Sequence, residues 1–448
     1  MKILHRSIGL SRCSVAPFVA ALVPLLCAAC GSDDGGSTGS KGAGAAGGTG
    51  GSSGSGGLTA GGAGGGGGSA GGAAGSGGTA GGSGGTAGTG GSSCHATAPA
   101  DHAVLQFVVS HPYDDMGAQA PVYELVEVDG TTLTRGTTFD LGRNFLGEIT
   151  FTPDGQIGFV AEDDGKLGVF RLTPSGVEVV HAAYEGSFYA SGLVMAPDGA
   201  TLYIQDGNWR ENGGGLYAVD IGCDGSLSNE RKLVDAKLPY GFAFAPNDPN
   251  TAYAFARDLG DSPMGEDFHV LAWGSAPMRS GGTTLFNDEE AQVSTLVVTH
   301  DGKFALMGDN AGFSSVPNRV GVAKLGASPS MAQVLSPIED PIDIVTSPFD
   351  DAAVVISGFG EKLWILDYDA TAAQPFSVRG EVAYSSPPEL PAYAVSIDQG
   401  QHKGRVFIAE NGGIRMLRFA ADGQVSDEGV LDFGDGLTNA IGSIGVVP

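Results

Sequence analysis

The stretch Glu148-Ile149-Thr150-Phe151-Thr152-Pro153-Asp154-Gly155, followed by Ile157-Gly158-Phe159-Val160-Ala161, decides how the rest of the chain is read. Two short runs of β-branched and aromatic residues flank a Pro-Asp-Gly turn, the pattern of an antiparallel hairpin. The phrase recurs at Leu193-Val194-Met195-Ala196-Pro197-Asp198-Gly199 with Leu202-Tyr203-Ile204. Further copies begin at Phe242, Leu296, Ile344 and Val395, with turns at Pro246, His300, Pro348 and near Gln399. Successive turns fall 44, 49, 54, 48 and 51 residues apart. Each copy continues into a third apolar run, such as Leu167–Phe170, Leu216–Val219 or Leu363–Leu366. A period near 50 residues, with strands of four to six and no amphipathic helical period, is that of a four-stranded propeller blade.

Six copies leave the two ends of the repeat region. Val104–Val109 reads as a second strand lacking its first, with Pro121–Val128 as third and Thr131–Leu141 as fourth. Ser443-Ile444-Gly445-Val446-Val447-Pro448 repeats the first-strand phrase and stops at its turn proline. The expected fold is therefore all-β: a seven-bladed β-propeller closed by the C-terminal strand pairing into the N-terminal blade. Such closure removes two exposed sheet edges.

Outside the repeats the sequence changes character. Residues 1–12 carry Lys2, Arg6 and Arg12, and Val15–Ala29 is apolar but interrupted by Pro17 and Pro24. This is the pattern of a secretory signal peptide rather than a membrane-spanning helix. Leu26-Cys27-Ala28-Ala29-Cys30 resembles a bacterial lipobox, departing from it at Cys27. Cys30 is the expected lipidation site, and cleavage after Ala29 by an ordinary signal peptidase is the alternative. Gly31–Ser93 is almost entirely Gly, Ser, Ala and Thr, with Leu58 as its one large apolar residue. Such a chain cannot bury enough surface to offset its entropy. As a flexible coil it spans roughly 45 Å. The expected organisation is thus 1–29 signal peptide, 30–93 lipidated cysteine and linker, and 94–448 propeller. The expected location is the cell envelope, on the outer membrane through the lipid anchor alone, with plain secretion as the alternative.

Without residues 1–29 the 23 basic residues fall to 20 against 50 acidic ones, a formal charge of −30. That field repels phosphate backbones and anionic headgroups, which argues against nucleic acid and direct membrane-surface partners. Cys94 and Cys223 remain in an oxidising compartment, where a disulfide and two separate thiols are the two possibilities.

The repeated Phe-x-Pro-Asp-Gly phrase, over residues from about 100 to 448, resembles YVTN-type and lactonase-like seven-bladed propellers. The Trp-Asp signature of WD repeats and the paired glycines of kelch blades are missing. The resemblance implies a fold, and among its members are sugar-lactone hydrolases and surface proteins. Fold analogy does not by itself assign an activity.

Aligning the copies by their turns places Glu162, Asp206, Asp309, Ser357 and Glu410, together with Arg257, at the ends of second strands. These ends are expected to ring the mouth of the central channel. Four carboxylates there would suit Ca²⁺ or Mg²⁺; solvated strand ends in an acidic protein are the plainer account. Tyr240 and Tyr393 stand at equivalent first-strand starts, with Tyr189 and Phe145 nearby. Long loops after the second strands, Gly207–Gly215 with Trp209 and Arg210, Asp258–Phe268 and Asn310–Arg319, cluster on adjacent blades. Histidines are scattered, without metal-ligand spacing. The resulting expectation is a tethered binding module for a protein, glycan or small-molecule partner. The alternative is a lactonase-like hydrolase using carboxylates and a divalent cation.

Overall fold

The computed structural model describes residues 94–95, 101–145, 147–196, 198–207, 214–237, 241–256, 258–259, 265–274, 276–286, 293–310, 318–434 and 436–448, all within the compact unit Thr89–Pro448. They form seven antiparallel sheets in the order of a seven-bladed β-propeller. The first blade takes its three outer strands from Leu105–Tyr113, Gln119–Asp129 and Thr132–Asp140, and its innermost strand from Ile444–Val447. Val109 pairs with Ile444, Val108 with Gly445, Phe107 with Val446 and Gln106 with Val447. The ring is closed by the far end of the chain, as the repeat count requires.

Blades two to seven follow in chain order, with innermost strands at Ile149–Phe151, Ala190–Met195, Gly241–Ala245, Val293–Val298, Pro341–Thr346 and Ala394–Ser396. One departure from four strands concerns the third blade. Asp258–Leu259, the start of a long loop of the fourth blade, adds a fifth strand beside Leu227–Lys237.

The repeated turn forms for a local reason. Thr152 Oγ1 donates to Asp154 Oδ1 at 2.7 Å, Gln156 N donates to the same oxygen at 3.0 Å, and Gly155 takes φ +70°. Thr299, Asp301 and Gly302 repeat this arrangement in the fifth blade, with φ +69° at the glycine. In the sixth blade Asp350 itself adopts φ +55°, a conformation that Asp tolerates better than most side chains.

Between turns, alternate residues of each strand point to the two blade faces, and facing blades bury them against one another. The described residues contain an apolar cluster at each of the seven blade junctions. At the closing junction Phe107 and Val109 pack with Phe407, Ile414, Met416, Ile441 and Ile444. Each blade is thus held by its neighbours, and what remains open is the ring's axis.

Candidate functional site

The innermost strand of a blade is a sheet edge, and its free N–H groups need acceptors. Around the axis this need is met partly by side chains from neighbouring innermost strands. Glu148 of the second blade accepts from Leu193 N of the third at 2.5 Å. Asp343 of the sixth accepts from Ala394 N of the seventh at 2.9 Å, from Ile344 N at 2.8 Å and from Thr295 Oγ1 of the fifth at 3.1 Å. Ser443 of the closing strand donates to Gly147 O at 2.6 Å.

These strands enclose a channel cavity of about 560 Å³ to which all seven blades contribute. Glu148, Asp343 and Tyr393 line it together with Thr295, Ser294 and Ser396. Burial pushes Glu148 up to about 7, the nearby charge of Asp343 adding to the rise. Burial likewise pushes Asp343 up to about 6, although three hydrogen bonds pull the other way. The Tyr393 hydroxyl is raised far above its ordinary range by burial and by both carboxylates. Near neutral pH the channel therefore holds a neutral phenol and two carboxyls whose values burial has raised towards the pH of the solution.

At the end formed by the hairpin turns, His300 of the fifth blade reaches past Thr346 of the sixth to Asp398 of the seventh. Its Nε2 lies 3.2 Å from Asp398 Oδ2 and its Nδ1 3.4 Å from Thr346 Oγ1. The hydrogen bond to Asp398 raises the imidazole above its usual value. His300 and Asp398 both line the cavity at this end.

Of the residues expected from the sequence, Tyr393 lines the channel. Glu162, Asp206, Asp309, Ser357 and Glu410 do occupy equivalent strand ends, but they do not line this cavity. The physical reason is that second strands lie one strand away from the axis, so their terminal side chains point between blades. Glu162 Oε1 accepts from Gly142 N at 2.9 Å, while Oε2 has no hydrogen-bond partner among the described residues; burial pushes this carboxyl up to about 7. Asp206 accepts from Tyr189 N at 3.0 Å. Asp309 accepts from Arg319 Nε at 2.8 Å, with the guanidinium 4.5 Å from the Phe286 ring centre. Ser357 donates to Glu339 O. Glu410 accepts two hydrogen bonds from the fully buried Arg415, which also donates to Asp427 at 3.1 Å.

Each of these carboxylates has a partner at its own blade junction, and no three metal-ligating side chains are grouped among the described residues. Trp209, Arg210, Tyr240, Arg257 and Cys30 lie outside the described residues. Cys94 and Cys223 are joined in a disulfide, their Cα atoms 5.8 Å apart.

Glu148, Asp343 and His300 were not singled out from sequence. Glu148 was visible as the first residue of the deciding phrase, and Asp343 holds the corresponding place before Ile344. Each reads as a polar residue opening a strand. Their meeting across the axis has no sequence signal.

No protein-family model matches the chain, and no curated protein matches it. Solved structures with a similar fold include a putative 6-phosphogluconolactonase from Bacteroides fragilis, with TM-score 0.56 and 11% identity, covering 77% of this chain and 98% of that one. A putative 6-phosphogluconolactonase from Bacteroides uniformis gives TM-score 0.56 and 11% identity over 77% and 100%. The periplasmic gluconolactonase of Pseudomonas aeruginosa gives 0.55 and 13% over 77% and 99%. The chain is a seven-bladed β-propeller whose structural neighbours are lactonase-like. At these identities the likeness is one of fold.

Proposed function

We propose that the propeller is a binding module whose central channel takes a small, neutral, polyhydroxylated ligand, such as a free sugar. The observation that carries this reading is the placement of Glu148 and Tyr393 on the wall of one channel cavity, with only one Glu148 oxygen committed to a backbone partner among the described residues. A carboxyl near its own pKa can accept a hydroxyl proton or donate its own. Tyr393 adds a ring face and a neutral hydroxyl. The two channel carboxyls and the strongly acidic chain disfavour phosphorylated ligands. In this reading a lipid on Cys30 and the Gly/Ser-rich linker hold the domain at the cell envelope, within reach of ligands outside the membrane.

The test is a calorimetric titration of the propeller with D-glucose as probe, repeated with Glu148→Gln. The reading expects saturable binding and an affinity loss of about tenfold in the variant, the worth of one charge-assisted hydrogen bond. No saturable heat, or equal affinity in the variant, would remove it.

One observation favours lactone hydrolysis as a second reading: Glu148 at about 7 lies in the range suited to general acid or base work. Turnover of D-glucono-1,5-lactone above its spontaneous rate, abolished by Glu148→Gln, would establish it.

A further inference from the structure

A second cavity, of about 640 Å³, shares no lining residue with the channel. It lies where the hairpin joining Arg319–Lys324 to Ser330–Leu335 in the fifth blade meets the fourth and sixth blades. Tyr253 of the fourth blade, Lys303, Phe304, Lys324 and Met331 of the fifth, and Pro375 of the sixth all line it. Its composition runs against that of the chain. Acidic residues outnumber basic ones 50 to 23 overall, yet this lining holds two lysines and no acid.

The two ammonium groups are not equivalent. Lys303 Nζ lies 2.9 Å from Asp301 Oδ2. Lys324, exposed at the end of its strand, has no ion pair or side-chain hydrogen bond among the described residues. It stands opposite Phe304 in the antiparallel ladder, so the free charge and the aromatic ring share one face of the blade. Acids on neighbouring turns are spent locally. Asp248 accepts from Thr251 Oγ1 at 2.7 Å, Asp369 from Thr371 Oγ1 at 2.7 Å and Asp301 from the Tyr368 hydroxyl at 2.9 Å. None of the three lines the cavity.

Tyr253 brings an independent signal. The residue is 5% exposed, its ring stacks on Phe268 at 5.9 Å, and its hydroxyl has no hydrogen-bond partner among the described residues. A buried hydroxyl left without a partner is costly, and an acceptor on a bound molecule would satisfy it. Burial, with the charge of Asp248 adding to it, raises this phenol above its ordinary value and keeps it a donor. Phe304, packed edge-on against Tyr368, and Met331, 38% exposed, supply apolar surface.

We propose that this cavity binds a small organic monocarboxylate with an apolar body. Lys324 holds the carboxylate, Phe304 and Met331 take the body, and Tyr253 donates from the fourth-blade side. One charge suits the site better than a phosphate, because only one ammonium is uncommitted. Screening over about 8 Å at physiological ionic strength leaves that ammonium, and not the acids elsewhere on the chain, to set the local field. The cavity volume is in the range of small-molecule sites, about 300–1,000 Å³.

Methionine-methyl NMR with benzoate as probe, and benzamide as its uncharged counterpart, tests this. Benzoate should shift the Met331 methyl signal saturably and leave that of Met116 in place, and benzamide should bind at least about fivefold more weakly. Lys324→Gln should lower benzoate affinity at least about fivefold, and Tyr253→Phe about threefold, the worth of one neutral hydrogen bond. Glu148→Gln, in the channel, should leave it unchanged. An unmoved Met331 methyl, equal binding of benzamide, or wild-type affinity in either cavity variant would overturn the proposal. Loss of benzoate binding in Glu148→Gln would move the anion into the channel and overturn it equally.

Discussion

Val109 stands opposite Ile444 in an antiparallel pair, so residues from the two ends of the domain share the innermost ladder of one blade. Both are buried in the same apolar cluster as Phe107 and Phe407. Removing residues 441–448 strips Ile441 and Ile444 from that cluster and leaves Leu105–Tyr113 as an open edge. The expected cost is several kcal/mol, at about 2–5 kcal/mol for each large buried aliphatic lost. The truncated domain should melt without a sharp transition or be insoluble. A melt superimposable on that of the full domain would contradict the closure.

Arg415 is fully buried between Glu410 and Asp427, and its removal strands two acids. Arg415→Ala should therefore destabilise by about 3–5 kcal/mol, the cost of an unpaired buried charge. Denaturant midpoints measured at pH 7 check this. A loss below about 1 kcal/mol would mean that water reaches the junction of the sixth and seventh blades.

The dependence of stability on pH has two opposed parts. Glu148, Asp343 and Glu162 have folded values raised to about 7, 6 and 7 by burial, so their protonated forms favour the fold. The stability they add is complete below pH 4 and is lost as pH rises through 6 to 7. Asp427, Asp301 and Asp154 are held below their usual values by hydrogen bonds that outweigh burial, and their stability is lost as pH falls through those lowered values. A stability maximum in mildly acidic solution follows. Glu148→Gln combined with Asp343→Asn should flatten the decline between pH 5 and 8 by about 2 kcal/mol per carboxyl, since each pKa unit is worth about 1.4 kcal/mol. A wild-type urea midpoint that is level across this window would refute the assignment.

The repeat and its closure were legible because their causes are local. A Thr-x-Asp-Gly turn sets its own hydrogen bonds, and strand composition follows from packing on both faces. Asp350, at positive φ where sister turns use glycine, shows that the turn's geometry outlasts its consensus residue. The site was legible in part. Tyr393 and the equivalence of Glu162, Asp206, Asp309 and Glu410 could be read from spacing, but spacing does not say which strand faces the axis. That the inner edge needs carboxylates for its free amides, and that Glu148 and Asp343 supply them, is a property of neighbouring blades whose partners, Leu193 and Ala394, lie 45 and 51 positions further along the chain. His300, read from sequence as one of several lone histidines, acquires a role only through Asp398 across the mouth.

Mass spectrometry of the exported protein tests the proposed anchoring. Cys30 should be the first residue and carry lipid, and Cys30→Ala should release the protein from the membrane fraction. An unmodified first residue at Cys30 or beyond would replace anchoring with plain secretion.

The central claim is that the channel selects neutral polyhydroxylated ligands through Glu148 and Asp343. The most direct measurement is a matched calorimetric titration at pH 7 with D-glucose and with D-glucose 6-phosphate, which share every hydroxyl but the esterified one. The account predicts saturable binding of the neutral sugar and at least about tenfold weaker binding of its phosphate, the penalty for bringing like charges together in the channel. Equal or tighter binding of the phosphate would contradict it.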